Sequence, residues 1–258
     1  MENKMINEVK HKLSEGKVAF GPWVHIGHPD IAEILSLVGF DFVIYDTEHT
    51  PLSLESIQNM MQVMHGSRVV PLVRVAWNDP VLIKRVLDLG TYGVFIPWVN
   101  KREEAERAVE ACRYAPKGIR GCSPRRASQY GLNFRDYFER FAQEEILIIV
   151  QIETKEAIEN LDEILSVDGI DVAFVGPLDL SVSLGVPKQW DAPILKNSIQ
   201  KIVEKCKQYN VVAGIDVQSV EDAKRYIEQG FQFITFSSDT DFLLSAAKNA
   251  YARLGKLS

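Results

Sequence analysis

The stretch from Phe40 to His49 is an apolar run that stops abruptly in Asp46, Glu48 and His49. Val43, Ile44 and Tyr45 have the continuous apolar character of a strand buried on both faces. Titratable side chains where a core strand ends are costly, because a buried charge without a partner loses its hydration or shifts its pKa. Proton chemistry is one use for them, since an imidazole held by a carboxylate is a good general base near neutral pH. Of five histidines, His11 and His65 read as helix-surface residues, and His25 and His28 flank the end of an earlier strand. Only His49 follows an aspartate by three residues at a strand end, and a hydrogen-bonded structural role is its alternative.

Other apolar runs also end in functional groups. Val69 to Arg74 ends in a guanidinium, whose fixed fork suits a carboxylate or enolate oxygen, with an ion pair to Asp46 or Glu48 as the structural alternative. A later run ends at Gln151 and Glu153, another leads through Gly176 into Asp179, and a third ends at Asp216. Glu153 and Asp179, with remaining positions left to water and substrate oxygens, suit a hard divalent ion such as Mg2+ or Mn2+. Helix starts favour acidic residues in any case, so capping explains the two equally well. Gly176-Pro177-Leu178-Asp179-Leu180-Ser181 forms a turn into a helix whose N–H groups can hold a carboxylate. No lysine ends a strand, so a Schiff-base mechanism lacks its nucleophile. Asp88, two residues before Gly90, sits at a helix C-terminus where the dipole disfavours negative charge. An exposed aspartate tolerated at small cost is the simple reading, and a compensating arginine or subunit contact is the other. Arg120, Arg125 and Arg126 in the following loop read as solvated charge, or as a receiver for an anionic tail or an interface.

The elements that must position these groups alternate. Strands are expected at Val18 to Ile26, Phe40 to Asp46, Val69 to Arg74, Tyr92 to Trp98, Glu145 to Glu153, Asp171 to Val175, Val211 to Asp216 and Phe231 to Ser237. Helical patterns separate them, including Ala157 to Leu165, and a long irregular segment spans Ala115 to Asn133. Asn78-Asp79-Pro80 starts one helix with a capping side chain and a proline in the first turn. Eight such units in 258 residues favour a single (β/α)8 TIM barrel over residues 1–258, an α/β fold whose active site lies at the carboxyl ends of the strands. No G-x-G-x-x-G follows the first strand, which argues against dinucleotide binding. A phosphate site after the last two strands is disfavoured, because Asp216-Val217-Gln218 and Ser237-Ser238-Asp239 lack glycine.

A net charge of -6 argues against nucleic-acid and anionic-membrane partners. No segment approaches a membrane span, and Met1 to Lys17 has no signal-peptide core. Three dispersed cysteines, Cys112, Cys122 and Cys206, read as reduced thiols and a cytoplasmic address.

From about Gly21 onward the chain resembles the HpcH/HpaI family of class II, metal-dependent pyruvate aldolases. The resemblance rests on Phe40-Asp41 through Asp46-Thr47-Glu48-His49, Val73-Arg74 with Trp77-Asn78-Asp79-Pro80, and Leu87-Asp88-Leu89-Gly90. Gly118-Ile119-Arg120-Gly121, Gln151-Ile152-Glu153-Thr154 and Gly176 to Ser181 complete it. It implies a divalent metal ion (Mg2+, Mn2+ or Co2+) on Glu153 and Asp179, with pyruvate held through its carboxylate and keto oxygen. It further implies that Arg74 stabilises the keto or enolate oxygen, and that Asp46 and His49 form the base dyad. Gln151 and the backbone of Gly176, Pro177, Leu178 and Asp179 would bind substrate, and Asp88 would reach a neighbour's site. The implied partners are a small keto acid and an aldehyde, in a homo-hexamer, a trimer of dimers, with exchanged C-terminal helices. The implied reaction is reversible cleavage of a 4-hydroxy-2-oxo acid. A citramalyl- or malyl-CoA-type lyase, or a barrel that binds keto acids without turnover, is the alternative. Thr47 departs from the family's glycine before Glu48-His49, and Cys122-Ser123-Pro124-Arg125 makes the loop after Gly121 shorter and stiffer than usual.

Overall fold

The structure, a computed structural model, describes residues 4–255, so the single-domain assignment to 1–258 reaches past the described residues at both ends. Eight parallel strands close into a barrel in sequence order. They are β1 (Ala19–Val24), β2 (Phe42–Asp46), β3 (Val70–Arg74), β4 (Gly93–Ile96), β5 (Leu147–Ile152), β6 (Val172–Val175), β7 (Val212–Val217) and β8 (Phe233–Ser238). Closure comes from β1 pairing with both β2 and β8.

Side chains alternate sides along a strand, and here the alternation divides the apolar residues into two cores. Trp23, Ile44, Leu72, Phe95, Ile149, Phe174 and Phe233 fill the barrel interior. Val24, Tyr45, Val73, Ile96, Val150 and Val175 face outward into the layer shared with the helices. At the amino end the interior is plugged by Val9 and Leu13 of the helix Glu8–Ser14. At the other end the inward rows continue upward: Ile44 is followed two residues later by Asp46, Leu72 by Arg74, and Ile149 by Gln151 and then Glu153. The charged groups therefore rest on an apolar floor of aromatic rings packed edge to face, among them Trp23 against Phe95 at 5.3 Å between centroids.

Most strands are trimmed or shifted by one or two residues at an end, and three differences from the sequence expectation go further. The fifth strand begins at Leu147, because Glu145 ends a π-helix (Tyr137–Glu145). The Glu145 carboxylate accepts the Asn7 N–H at 3.0 Å and pairs with Arg140 at 2.8 Å, tying the N-terminal helix to this segment. The helix expected over Ala157 to Leu165 is two, Lys155–Glu159 and Leu161–Leu165. They part at Asn160, whose side-chain amide donates to the Asn100 carbonyl at 2.9 Å. The segment expected to be irregular contains a short 3-10 turn, Gln129–Gly131, and Arg126 ties it to the barrel by donating to the Leu89 carbonyl at 2.5 Å. Cys112 and Cys206 are buried and Cys122 is exposed, all three with free thiols. No helix among the described residues is long and apolar enough to cross a membrane. The last helix, Asp239–Leu254, leaves Leu243, Leu244, Tyr251 and Leu254 exposed.

Candidate active site

Asp46 and Arg74 are register partners on β2 and β3. The guanidinium donates from Nε to Oδ1 at 2.9 Å and from Nη2 to Oδ2 at 2.7 Å, a bidentate pair with Asp46 fully buried. Burial alone would raise the Asp46 pKa, but Arg74 together with the backbone N–H groups of Glu48 and His49 holds the carboxyl below its usual range. Arg74 lies over the Trp23 ring at 4.3 Å, and its Nη1 is 3.2 Å from Glu48 Oε2. The Thr47 hydroxyl donates to the Arg74 carbonyl at 2.6 Å and ties the two strand ends together.

Glu48 and Glu153 face the same end of the barrel. Burial pushes the Glu48 carboxyl up to about 7, with Asp46 and Asp179 adding to the rise and Arg74 opposing it. Burial also pushes Glu153 up to about 7, reinforced by the charges of Glu48 and Asp179. Three carboxylates thus repel one another across the mouth. Glu153 is held from two sides: the Trp98 N–H donates to Oε1 at 2.9 Å and the Gln151 amide donates to Oε2 at 2.6 Å. Trp98 makes this contact from a left-handed conformation (φ 55), which is strained for a bulky residue. Among the described residues, Gln151 Oε1 is buried without a hydrogen-bond donor, and the buried Glu48 Oε2 is ion-paired with Arg74 Nη1 at 3.2 Å but accepts no hydrogen bond. Gly176 closes the group from β6, and a Cβ there would lie 3.0 Å from Glu153 Oε2. It precedes the helix Pro177–Ser183, whose first turn holds Asp179 and has no side-chain cap.

A model of the HpcH/HpaI aldolase/citrate lyase family matches residues 19–246. The chain belongs to that family. It is 38% identical over 243 residues to a 5-keto-4-deoxy-D-glucarate aldolase of Shigella boydii serotype 18, covering 94% of each chain. It is 37% identical over 253 residues to a 4-hydroxy-2-oxo-heptane-1,7-dioate aldolase of Shigella sonnei, covering 97% of this chain and 96% of that one. Among solved structures, an HpcH/HpaI aldolase/citrate lyase family protein of Burkholderia cenocepacia J2315 superposes with a TM-score of 0.91 at 29% identity, covering 96% and 99%. With relatives of this similarity along most of its length, the chain is an enzyme, an aldolase of the carbon–carbon lyase class.

Within this aldolase, the barrel mouth gathers Asp46, Glu48, Arg74, Gln151, Glu153, Gly176 and Asp179. The His49 ring is not on Asp46. Its Nε2 lies 3.7 Å from Glu48 Oε2, the side chain is 61% exposed, and only its backbone N–H points at Asp46, at 3.4 Å. Arg74 instead occupies Asp46 by binding both of its oxygens, and Oδ1 also accepts the Glu48 N–H at 2.9 Å. Asp88 is not at the mouth of its own barrel. It ends the helix Pro80–Asp88 near the amino ends of the strands, where the buried Arg120 donates to it at 2.7 Å. The arginine expected as one alternative is therefore present.

The sequence reading did not single out Trp23, and it placed His25 beside the end of the first strand without giving it a role at the mouth. Trp23 donates its indole N–H to Asp216 Oδ1 at 2.9 Å beneath Arg74, and His25 places Nε2 3.8 Å from Asp46 Oδ2. The signal was available in the alternation of Trp23, Val24 and His25, which puts both rings on the inner face.

Proposed function

We propose that the enzyme reversibly cleaves a 4-hydroxy-2-oxo acid into pyruvate and an aldehyde, with a divalent cation (Mg2+, Mn2+ or Co2+) held by Glu153 and Asp179. The observation that carries this is the convergence of Arg74 with the mutually repelling carboxylates of Glu48, Glu153 and Asp179 on one barrel mouth. Hard carboxylate oxygens, two of them on groups raised by burial first and by neighbouring carboxylates second (Glu48 and Glu153), and a buried Gln151 Oε1 lacking a donor, fit a hard cation. Among the described residues no set of three or more His, Cys, Asp or Glu side chains is gathered to hold a metal by itself. A cation at Glu153 and Asp179 would therefore take its other ligands from solvent and substrate. When bound, it supplies Lewis-acid polarisation of the keto acid.

The chain's own residues do the rest. Arg74, oriented by Asp46 and by the face of Trp23, donates to the keto oxygen and stabilises the enolate as the carbon–carbon bond breaks. The N–H groups of Leu178 and Asp179, in a helix start without a side-chain cap, receive the substrate carboxylate against Gly176 and Pro177, and Gln151 fixes Glu153 beside it. His49, solvent-facing and next to Glu48, takes the proton of the 4-hydroxyl, with Asp46 setting the backbone position from which it acts. Asp88 serves a neighbouring subunit in a homo-hexamer, and the exposed apolar residues of the helix Asp239–Leu254 are those an exchanged helix would bury. The test is pyruvate release from a 4-hydroxy-2-oxo acid, with and without EDTA. Metal-restored release is expected, and undiminished turnover in EDTA overturns the role of the cation.

A further inference from the structure

We propose that His25 selects the aldehyde half of the substrate by hydrogen-bonding an oxygen substituent on the carbon next to the aldehyde carbonyl. This rests on the lyase reading above and extends it to the other product.

Strand alternation brings the ring to the right place. Trp23 belongs to the barrel interior and Val24 to the outer layer, so His25 returns to the inner face one layer above Trp23. Its backbone is clamped although it follows the end of β1. The buried Asp239, in the first turn of the last helix, accepts the His25 N–H at 2.9 Å through Oδ1 and the Ile26 N–H at 2.9 Å through Oδ2. The ring is fixed from one side only, with Nδ1 3.2 Å from the Thr240 hydroxyl.

The other nitrogen is left with its capacity. At 3.8 Å, Nε2 is too far from Asp46 Oδ2 for a hydrogen bond, and that oxygen is already bound by Arg74 at 2.7 Å. The side chain is 30% exposed at the mouth, so Nε2 is open to a ligand. Because the Thr240 hydroxyl can either donate to or accept from Nδ1, Nε2 can be presented as acceptor or donor. Position along the barrel decides which part of a substrate it meets. The keto-acid contacts proposed above come from β3, β5 and β6, whereas His25 extends β1, which is separated from β3 by the strand of Asp46 and lies across the barrel mouth from β5 and β6. A substrate anchored by its keto acid therefore turns its far carbons toward His25. A fixed polar group in such a position rejects the analogue that lacks the matching oxygen, because its own hydrogen bond is then unmade.

The test is condensation of pyruvate with glycolaldehyde and with propanal, which have the same number of heavy atoms and differ by hydroxyl against methyl. The ratio of their kcat/KM values is the readout. It is expected to favour glycolaldehyde in the native enzyme and to fall about tenfold or more in His25→Ala, with His25→Gln, which keeps a donor and an acceptor, recovering part of it. Equal losses for both aldehydes, leaving the ratio within about twofold, overturn the assignment by showing only a structural effect. A native enzyme that exchanges the methyl protons of pyruvate yet does not distinguish the two aldehydes also overturns it, while leaving the lyase reading standing. A native enzyme with neither exchange nor condensation overturns that reading and this one with it.

Discussion

The guanidinium of Arg74 and the carboxylate of Asp46 meet across paired strands through two hydrogen bonds, 2.9 and 2.7 Å long, with Asp46 wholly buried. A pair held this way has little freedom to reorient, so the remaining edge of the fork, Nη1, is aimed at Glu48 and the mouth. Arg74→Ala is expected to lower kcat by about a hundredfold or more, the cost of removing one preorganised donor. It also strands a buried carboxylate, at about 3–5 kcal/mol of stability. Steady-state kinetics below the melting temperature of the variant separate the two effects. A rate within about twofold of native would remove Arg74 from the reaction.

The eight strands were legible because both faces of each are buried, which leaves continuous apolar runs ending in charge at Asp46 and Arg74. The π-helix Tyr137–Glu145 was not: its buried residues Tyr137, Phe141, Ala142 and Glu145 recur at i, i+4, i+5 and i+8, a one-faced pattern that an ordinary α-helix gives as well, so the spacing does not reveal the wider turn. At the site, residue types at strand ends identified the acid cluster and Arg74. They could not say who pairs with whom. His49 looked like the partner of Asp46 on spacing, but the pairing depends on register between β2 and β3, which gives both Asp46 oxygens to Arg74. Asp88 read most simply as an exposed aspartate tolerated at small cost, with a compensating arginine as the alternative, and that arginine came from 32 residues away through a loop whose path the sequence does not encode locally.

The pH dependence of stability follows from Glu48 and Glu153. Both carboxyls lie near 4.5 in an unfolded chain and are pushed up to about 7 in the fold, by burial first and neighbouring carboxylates second. A raised folded-state value means that their protonated forms favour the fold: that contribution is fully present below about 4.5 and is lost as pH rises through about 7. The metal-free chain is expected to lose melting temperature across this window, and Glu48→Gln or Glu153→Gln to flatten the slope. Added Mn2+ should flatten it as well, because a cation favours the charged forms. Melting curves of the three chains in EDTA, superimposable across the window, would refute the assignment of the slope to these two groups.

Gly176 is predicted to be required for the geometry of Glu153. An alanine Cβ would lie 3.0 Å from Oε2 and 3.4 Å from the Glu153 Cβ. The carboxylate cannot retreat freely, being held by the Trp98 N–H and the Gln151 amide. Gly176→Ala should therefore fold, since its φ of -91 suits any residue, yet bind Mn2+ about tenfold more weakly. Titration of the folded variant with Mn2+, followed by its water-proton relaxation, measures this. Unchanged affinity would mean that Glu153 does not contact the cation.

Asp88 and Arg120 allow a structural role to be separated from a catalytic one. Arg120 is buried, donates to Asp88 at 2.7 Å and to the Tyr137 hydroxyl at 2.9 Å, and leaves Nε and Nη1 without acceptors among the described residues. Asp88→Ala would leave that guanidinium without its anion and is expected to cost about 3 kcal/mol or more, or roughly 6 °C or more in melting temperature. Asp88→Asn keeps an oxygen for Arg120 and should cost much less, so any large loss of rate in this variant comes from the missing charge at a reaction centre. That centre is expected to be a neighbour's. Mixed oligomers of Asp88→Asn and Arg74→Ala subunits then contain sites with an intact Arg74 facing an intact Asp88, and activity should recover when two slow preparations exchange subunits. If native mass spectrometry shows mixed oligomers and the rate does not recover, Asp88 belongs only to the scaffold of its own chain.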